Sequence, residues 1–184
     1  MILEGIRLLT DWYSGLLKDA AGQDQSINTW LAKVPLDAQD KRPDRIVAVL
    51  DPTRNAKVAR GEPDPAVKFP IILVGQSSPG DFEGQVRTLP PQAVRDANAT
   101  FLVAYVTQKH DSEVADAMSW YTLRAIVAST QTFLLDSNQL QRVRNTMEIR
   151  NCQRIRFGPT LQGIGAGVIR GVVELDLQLR DAWA

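Results

Sequence analysis

The most regular alternation of apolar and polar residues lies in the last part of the sequence. Between Val173 and Arg180, four aliphatic residues alternate with four polar ones, which include Glu174 and Asp176. Because successive side chains of a strand point to opposite faces, this segment predicts a strand that buries its aliphatic row. We expect its polar row to face water or a partner.

Other segments show the spacing of helices or the continuous apolar character of buried strands. Apolar residues at helical spacing run from Ile2 to Leu17 and predict a helix that ends near Gly22. A short helical turn is expected at 27–34, before Pro35. Further strands are expected at 46–51, 69–76, 101–108 and 147–157. The strand at 101–108 is apolar on both faces, as a central strand would be.

A long helix is predicted directly after the strand at 101–108. Asp111 and Ser112 are good N-cap residues, and the helical pattern extends to about Leu135. Apolar side chains occupy more than one face of this helix, so we expect one face to pack on the sheet and another to need a second partner. The residues expected to contact a neighbouring molecule are Trp120, Leu123 and Val127.

The remaining polar stretches are interpreted as loops. Residues 52–68 and 77–100 carry prolines and few apolar positions, with at most a short edge strand expected within 81–98, and 158–167 (GPTLQGIGAG) is interpreted as a flexible connection. The order of elements predicts an α+β fold, a mostly antiparallel sheet with an N-terminal helix and one long helix packed on one face, closed by a terminal β-hairpin. The length of 184 residues suits a single domain over 1–184.

Composition and charge narrow the class of protein. The hydrophobic fraction of 44% and charged fraction of 23% are typical of a globular protein, and 21 basic residues balance 21 acidic ones. The overall charge therefore predicts neither nucleic-acid nor membrane binding. The single cysteine, Cys152, excludes an internal disulfide. No signal-peptide pattern or membrane-length apolar run is visible, so we expect a protein made and folded in a cytoplasm without a membrane partner.

Motifs for catalysis or ligand binding are present only as fragments. The stretch 75–79 (GQSSP) begins like a nucleophile elbow around Ser77, but Pro79 replaces the last glycine and a turn follows. His110, the one histidine, is interpreted as a solvated loop or cap residue. The glycines of 163–171 match neither phosphate-loop pattern. We therefore expect no enzyme, no cofactor and no metal, and a serine hydrolase is the less favoured alternative.

One cluster of charge stands out between residues 142 and 156, where five arginines accompany a single acid, Glu148. Strict alternation places the even-numbered residues from Arg150 to Arg156, Cys152 among them, on one strand face. Such a row of arginines is suited to pairing with carboxylates across a subunit boundary or to contacting the phosphates of DNA. The alternative is a solvated face, or pairing with acids of the neighbouring strand. The residues expected at a subunit interface or lining a channel are Arg142, Arg144, Arg150, Arg154, Arg156, Glu174, Asp176 and Arg180.

The order of these elements resembles that of bacteriophage tail terminator, or tail completion, proteins. This family contains the minor tail protein U of siphophages and its counterparts in contractile tails. The resemblance is carried by an N-terminal helix, by FLVAYVTQ running into SEVADAMSWYTLRAIVASTQTFLL, and by a terminal hairpin that ends in VVELDLQLRDAW. It covers most of the chain as a pattern of elements and includes no invariant motif.

The resemblance implies a small protomer that assembles as a homohexameric ring on the end of the tail tube, ends tube polymerisation and offers the surface to which the head or neck attaches. The implied partners are further copies, the tail tube protein, neck or head-completion proteins, and DNA passing through the channel. The implied location is the virion, after assembly in the host cytoplasm. A neck or head-completion adaptor of similar fold is the alternative, because this chain is longer than the shortest family members.

Overall fold

The computed structural model describes residues 2–35, 45–51, 55, 57, 66–76, 84–89, 92–108, 113–136, 148–164 and 167–182. Along 2–4, 84–99, 113–117, 148–164 and 177–182 it describes the backbone alone. The helices in these residues are α1 (Ile2–Ser14), α2 (Ile27–Lys33) and α3 (Glu113–Leu135). The strands are β1 (Ala48–Leu50), β2 (Ile71–Gln76), β3 (Gly84–Leu89), β4 (Gln92–Gln108), β5 (Glu148–Ile164) and β6 (Gly167–Ala182).

These strands form one sheet in the order β1-β2-β4-β6-β5, with β3 also paired to β4. β1 pairs with β2 in parallel, and the other pairings are antiparallel. β3 pairs with the first half of β4 and β2 with the second half, while β6 pairs along the other side. The predicted α+β class, the mostly antiparallel sheet with its central strand and the terminal hairpin are therefore confirmed.

One face of the sheet, which we call the inner face, packs against all three helices. Alternate residues of β2, β4 and β6 point to this face, and the strand residues buried here are Ile72, Val74, Phe101, Val103, Tyr105, Val173 and Leu175. The helices contribute Ile6, Leu9, Trp12, Tyr13, Ile27, Leu31, Tyr121, Leu123, Ala125, Ile126 and Phe133. The predicted burial of the aliphatic row of the last strand is confirmed at Val173 and Leu175.

Buried hydrogen bonds attach α1 to α3 above the inner face. The indole N–H of Trp12 donates to the Ser129 carbonyl oxygen at 3.0 Å, and the Trp12 ring meets Phe133 edge-on with 5.4 Å between ring centroids. The hydroxyls of Tyr13 and Thr130 share a hydrogen bond of 2.6 Å, and burial raises the pKa of Tyr13. Because buried indole and phenol groups need such partners, these contacts fix the position of α1 relative to α3.

Helix α3 approaches the sheet closely at Gly171 of β6. A Cβ atom at this position would lie 2.7 Å from Leu123 Cδ1 and 2.9 Å from Ser119 Oγ. The Ser119 hydroxyl donates to the carbonyl oxygen of Arg170 at 3.1 Å and so bonds the helix to the strand. Glycine is needed at 171 because the helix occupies the space of a side chain.

The opposite face of the sheet, the outer face, carries a smaller apolar cluster. Its buried members are Ile71, Ala104, Val106 and Ile169. Val67 and Phe69, from the segment before β2, pack on this cluster. A Cβ atom at Gly167 would lie 2.7 Å from the Phe69 ring, so the glycine makes room for it. Among the described residues, the segment before β2 thus covers this end of the outer face.

Helix α1 ends earlier than its apolar spacing predicted. Gly15 has a φ of +80°, its N–H donates to the Trp12 carbonyl oxygen, and the Leu16 N–H donates to that of Asp11. This pair of bonds around a left-handed glycine is the Schellman helix end. The predicted end near Gly22 was wrong, because Gly15 was the terminating signal. Leu16 consequently lies outside the core, 69% exposed.

Two stretches predicted to be mainly loop contain strands, and the short edge strand allowed within 81–98 is present as β3. Residues 84–89 form β3 and 92–100 form the first part of β4, while 158–164 belong to β5. The first part of β4 is paired on both sides, by β3 and β6. Cross-strand pairing therefore holds a segment whose own sequence shows no clear alternation. The strand expected at 46–51 is shorter, and most of 52–68 lies outside the described residues.

Candidate interaction surfaces

The register of the terminal hairpin positions part of the predicted arginine row. Arg154 pairs with Asp176, and Arg156 pairs with Glu174. Directly opposite residues of an antiparallel pair share one face of the sheet, here the outer face. Each of these arginines therefore stands at a register position next to an acid of the same chain. Arg142 and Arg144 lie outside the described residues.

The prediction that the even-numbered residues from Arg150 to Arg156 share one face was wrong. The β5 register shifts between Cys152 and Arg154, and another shift contains Arg150. Each bulge inserts one residue and reverses the alternation, so Cys152 pairs with Leu177 on the inner-face set while Arg154 is on the outer-face set. Bulges of this kind leave no periodic signal in a sequence, since they depend on the partner strand.

The acids opposite the arginines are held by the sheet. Glu174 and Asp176 are half-buried, and the Thr100 hydroxyl donates to Asp176 Oδ1 at 2.7 Å. Further along β6, Arg180 is in register with Glu148 on one side and Asp96 on the other. Each cross-strand pair of opposite charges contributes only about 0.2–1 kcal/mol to stability. Such pairs therefore favour one strand register over others but add little to the overall stability of the fold. The register favours pairing within the chain over a row of cations available to a partner.

Helix α3 exposes one of the three residues expected to contact a neighbouring molecule. Trp120 is 49% exposed. Leu123 is 1% exposed and lies against Gly171, so its predicted contact with a neighbour was wrong. The reason is the close approach of α3 to β6, which directs Leu123 into the core. Val127 is half-buried and packs against the inner-face core.

The ends of α1 and α3 carry two further exposed leucines, Leu16 at 69% and Leu135 at 83%. The Ala20 N–H donates to Asp136 Oδ2 at 2.8 Å and joins the loop after α1 to the end of α3. A hydrogen bond from the Gln25 side chain, with others from backbone N–H groups, lowers the pKa of Asp19 in this loop. The two exposed leucines make this end of the helical layer a candidate contact surface.

The edge strands of the described sheet differ in length and in the regularity of their pairing. β1 has three residues, and the Asn28 amide binds both the N–H and the C=O of Ile46 just before it, at 2.7 and 3.1 Å. β5 is long, but its register is interrupted in three places and it contains Pro159. β3 pairs with β4 without a register shift. Edge N–H and C=O groups are sites for strand addition, which short strands, bulges and prolines restrict.

The described part of the chain contains no arrangement of residues that supports a catalytic site. Ser77 and His110 lie outside it. Among the described residues no group of three or more His, Cys, Asp or Glu is placed to hold a metal ion. Gly167 and Gly171 lie within β6 and make close contacts to Phe69 and Leu123, which explains glycine there without a bound phosphate. None of the described helices is both long and apolar enough to cross a membrane.

Comparison with family models gives no match for this chain, and comparison with curated protein sequences gives none either.

Proposed function

We propose that this chain is a structural protein of a bacteriophage tail. In this proposal it forms a ring on the end of the tail tube, stops tube polymerisation and offers the surface to which the head or neck attaches. The starting point is the resemblance in the order of elements to tail terminator proteins, which are expected to be small α+β protomers. The function is binding and assembly rather than catalysis.

The observation that supports ring formation most directly is the presence of two unlike edges on one sheet. β3 and β5 lie on opposite sides of the β4–β6 pair. A ring needs a heterologous interface, in which each subunit presents two different surfaces that complement one another. A sheet with two different edges supplies such surfaces without a change of fold.

The exposed apolar side chains support contacts of the ring with other proteins. Trp120, Leu16 and Leu135 are large apolar residues on the helical layer with 49%, 69% and 83% of their surfaces exposed. Aromatic side chains are enriched in the cores of protein interfaces. We assign these residues to the contacts with the tail tube or the neck, and the sheet edges to contacts between copies.

The charge pattern supports a passage for DNA more than a tight DNA-binding site. The outer-face arginines Arg154 and Arg156 are in register with acids. DNA affinity depends on cations that neutralise phosphates and release counterions, and cations already beside carboxylates do this weakly. A surface whose arginines are balanced by neighbouring acids binds DNA weakly, and this suits a channel through which DNA must move.

The proposal is tested by adding the purified full-length chain to polymerising tail tube protein and measuring tube length by negative-stain electron microscopy. We expect rings of this protein at one end of the tubes and an end to tube growth. A strict monomer at every concentration, alone and with tube protein, contradicts the proposal. Rings that leave tube growth unchanged favour the neck or head-completion adaptor instead.

A pair of variants tests the assignment of the helical layer. Trp120→Ala is expected to weaken binding to tube ends, because it removes an exposed aromatic anchor and leaves the core intact. Val47→Ala is the matched control, since Val47 is an exposed apolar residue beside β1, 38% exposed. Equal binding by both variants and the wild type contradicts a role for Trp120.

A further inference from the structure

The chain enters β1 through Ile46 and Val47, whose backbone groups point to opposite sides. The Val47 N–H donates to the Pro70 carbonyl oxygen at 2.9 Å and therefore points toward β2. The Ile46 N–H donates to Asn28 Oδ1 at 2.7 Å, and the Ile46 carbonyl oxygen accepts a hydrogen bond from Asn28 Nδ2 at 3.1 Å. Successive residues of an extended chain direct their backbone groups to opposite sides. The groups of Ile46 therefore face away from β2 and toward α2.

The Asn28 side chain gives Ile46 the two hydrogen bonds that a neighbouring strand would give it. A carboxamide carries one acceptor and one donor group side by side, as a peptide unit does. In an antiparallel pair of strands, a residue exchanges both its N–H and its C=O bond with the residue directly opposite. The bond that Asn28 accepts from Ile46 and the bond that it donates to Ile46 reproduce this exchange with a side chain.

Helix α2 holds this amide in position. Asn28 directly follows Ile27, which is fully buried at the start of the helix. Ser26 caps the same helix end, because its hydroxyl oxygen accepts the Thr29 N–H at 3.3 Å. On the other side of the pair, the Ile46 side chain is 3% exposed and belongs to the inner-face core. Packing therefore fixes the backbone of both partners, and the amide is directed at Ile46 by the fold.

This pair of residues lies at the surface of the molecule, at one end of the described sheet. β1 is the last strand on its side of that sheet. Asn28 and Arg45 are exposed, and Val47 is 38% exposed, so another molecule can reach the chain on both sides of Ile46. Backbone N–H and C=O groups at such an edge form a template for pairing with another chain. At Ile46 both groups are occupied by Asn28 instead.

We propose that Asn28 is an edge-capping residue, whose contact with Ile46 closes this end of the sheet against a strand of another molecule. Folded proteins restrict strand addition with short edge strands, with charges or prolines on the edge, and with segments that cover it. Here β1 is short, with three residues, and the covering group is an amide from the nearest helix. In a purified sample the competing strand is that of a second copy of this chain.

This inference goes beyond the proposed function and does not depend on it, since a capped β1 edge is compatible with a ring, an adaptor or a monomer. A bond that served the fold alone would affect stability and leave association unchanged. An edge cap affects association as well, because its removal leaves the N–H and C=O of Ile46 without their side-chain partner. The experiment therefore measures association and stability separately, each relative to the wild type.

Two variants of Asn28 are compared by hydrogen exchange at the Ile46 N–H and by size-exclusion chromatography with light scattering over a range of concentrations. At low concentration the Ile46 N–H of Asn28→Ala should exchange about tenfold faster than that of the wild type, the factor expected for one lost hydrogen bond. At high concentration this variant should form larger species than the wild type and regain protection at Ile46. Asn28→Asp also loses a bond, but its charge on the edge opposes strand addition, so it should keep the wild-type oligomeric state.

A second substitution identifies the surface through which the variant associates. Val47→Lys in the Asn28→Ala background places a charge beside the opened edge and should restore the wild-type oligomeric state without restoring stability in urea unfolding. Association that survives Val47→Lys overturns the inference, as does an Asn28→Ala variant that keeps the wild-type oligomeric state at every concentration. If Asn28→Ala unfolds, Asn28→Ser takes its place, because the shorter serine side chain cannot bond both groups of Ile46. The same outcomes then decide.

Discussion

The inner and outer faces of the sheet are filled in different ways, although the same strands build both. On the inner face three helices cover a large apolar cluster, which includes Trp12 and Val103 at 0% exposure. On the outer face a smaller cluster around Val106 is covered by the segment before β2 and gives way to Thr100 and Asp176. Among the described residues, most of the stabilising burial is therefore on the inner face, and the outer face beyond its smaller cluster carries polar residues.

This contrast shows that a mostly antiparallel sheet can be stabilised mainly through one of its faces. Burial of apolar surface is worth about 25 cal/mol per Å². A half-exposed cross-strand charge pair contributes only about 0.2–1 kcal/mol. Changes on the inner face should therefore alter stability strongly, and changes on the outer face should alter it little.

The largest effect is expected for Trp12→Ala. The side chain is fully buried, donates to Ser129 and packs edge-on against Phe133, so its removal should lower the free energy of unfolding by about 3–5 kcal/mol. Leu16→Ala, at an exposed position just after the same helix, is the control and should change it by less than about 0.5 kcal/mol. Urea unfolding followed by circular dichroism measures both. Equal effects would mean that α1 does not anchor the inner face.

An intermediate effect is expected for Gly171→Ala. The added Cβ would lie 2.7 Å from Leu123 Cδ1, so the helix or the side chain must move, at a cost of about 1–3 kcal/mol. Gly75→Ala makes the same change where no atom lies within 4 Å, and it should be neutral or stabilising by up to about 1 kcal/mol. Thermal unfolding of the two variants compares them. A more harmful Gly75→Ala would show that strand flexibility, rather than helix approach, requires glycine in this sheet.

The smallest effect is expected for Thr100→Val on the outer face. It removes the hydroxyl that donates to Asp176, and the loss should be about 1 kcal/mol because the carboxylate is only half-buried. Thr100→Ser keeps the hydroxyl and should restore most of the stability. If Thr100→Val cost as much as Trp12→Ala in urea unfolding, the two faces would not differ in the way described.

The sequence predicted those helices and strands whose pattern of apolar residues indicates which side is buried. Residues 71–76, 101–108 and 173–180 have continuous or alternating apolar character, and the long helix has a helical period; its predicted caps, Asp111 and Ser112, lie outside the described residues. The first part of β4 escaped prediction because its partners on both sides, β3 and β6, hold it in place. The early end of α1 had a visible signal in Gly15, which the continuing apolar spacing at Leu16 and Leu17 obscured.

The candidate site was predictable in composition but not in arrangement. The sequence identified an arginine cluster and two acids on the last strand, and it named pairing between them as an alternative. It could not indicate the bulges that move Cys152 to the other face from Arg154, because a bulge is a relation between two strands. It also could not tell that Leu123 is buried whereas Trp120 is exposed, since both lie off the main stripe of α3.

By itself the sequence determined which segments become helices and strands wherever hydrophobic period and helix caps act locally, and it determined the balance of charge. The neighbours of each strand, the positions of the register shifts and the edges of the described sheet could be seen only once the chain was folded. A local pattern depends on each residue's own side chain. Register and edges instead depend on hydrogen bonds and close packing between segments far apart in the chain, as at Gly171 and Leu123.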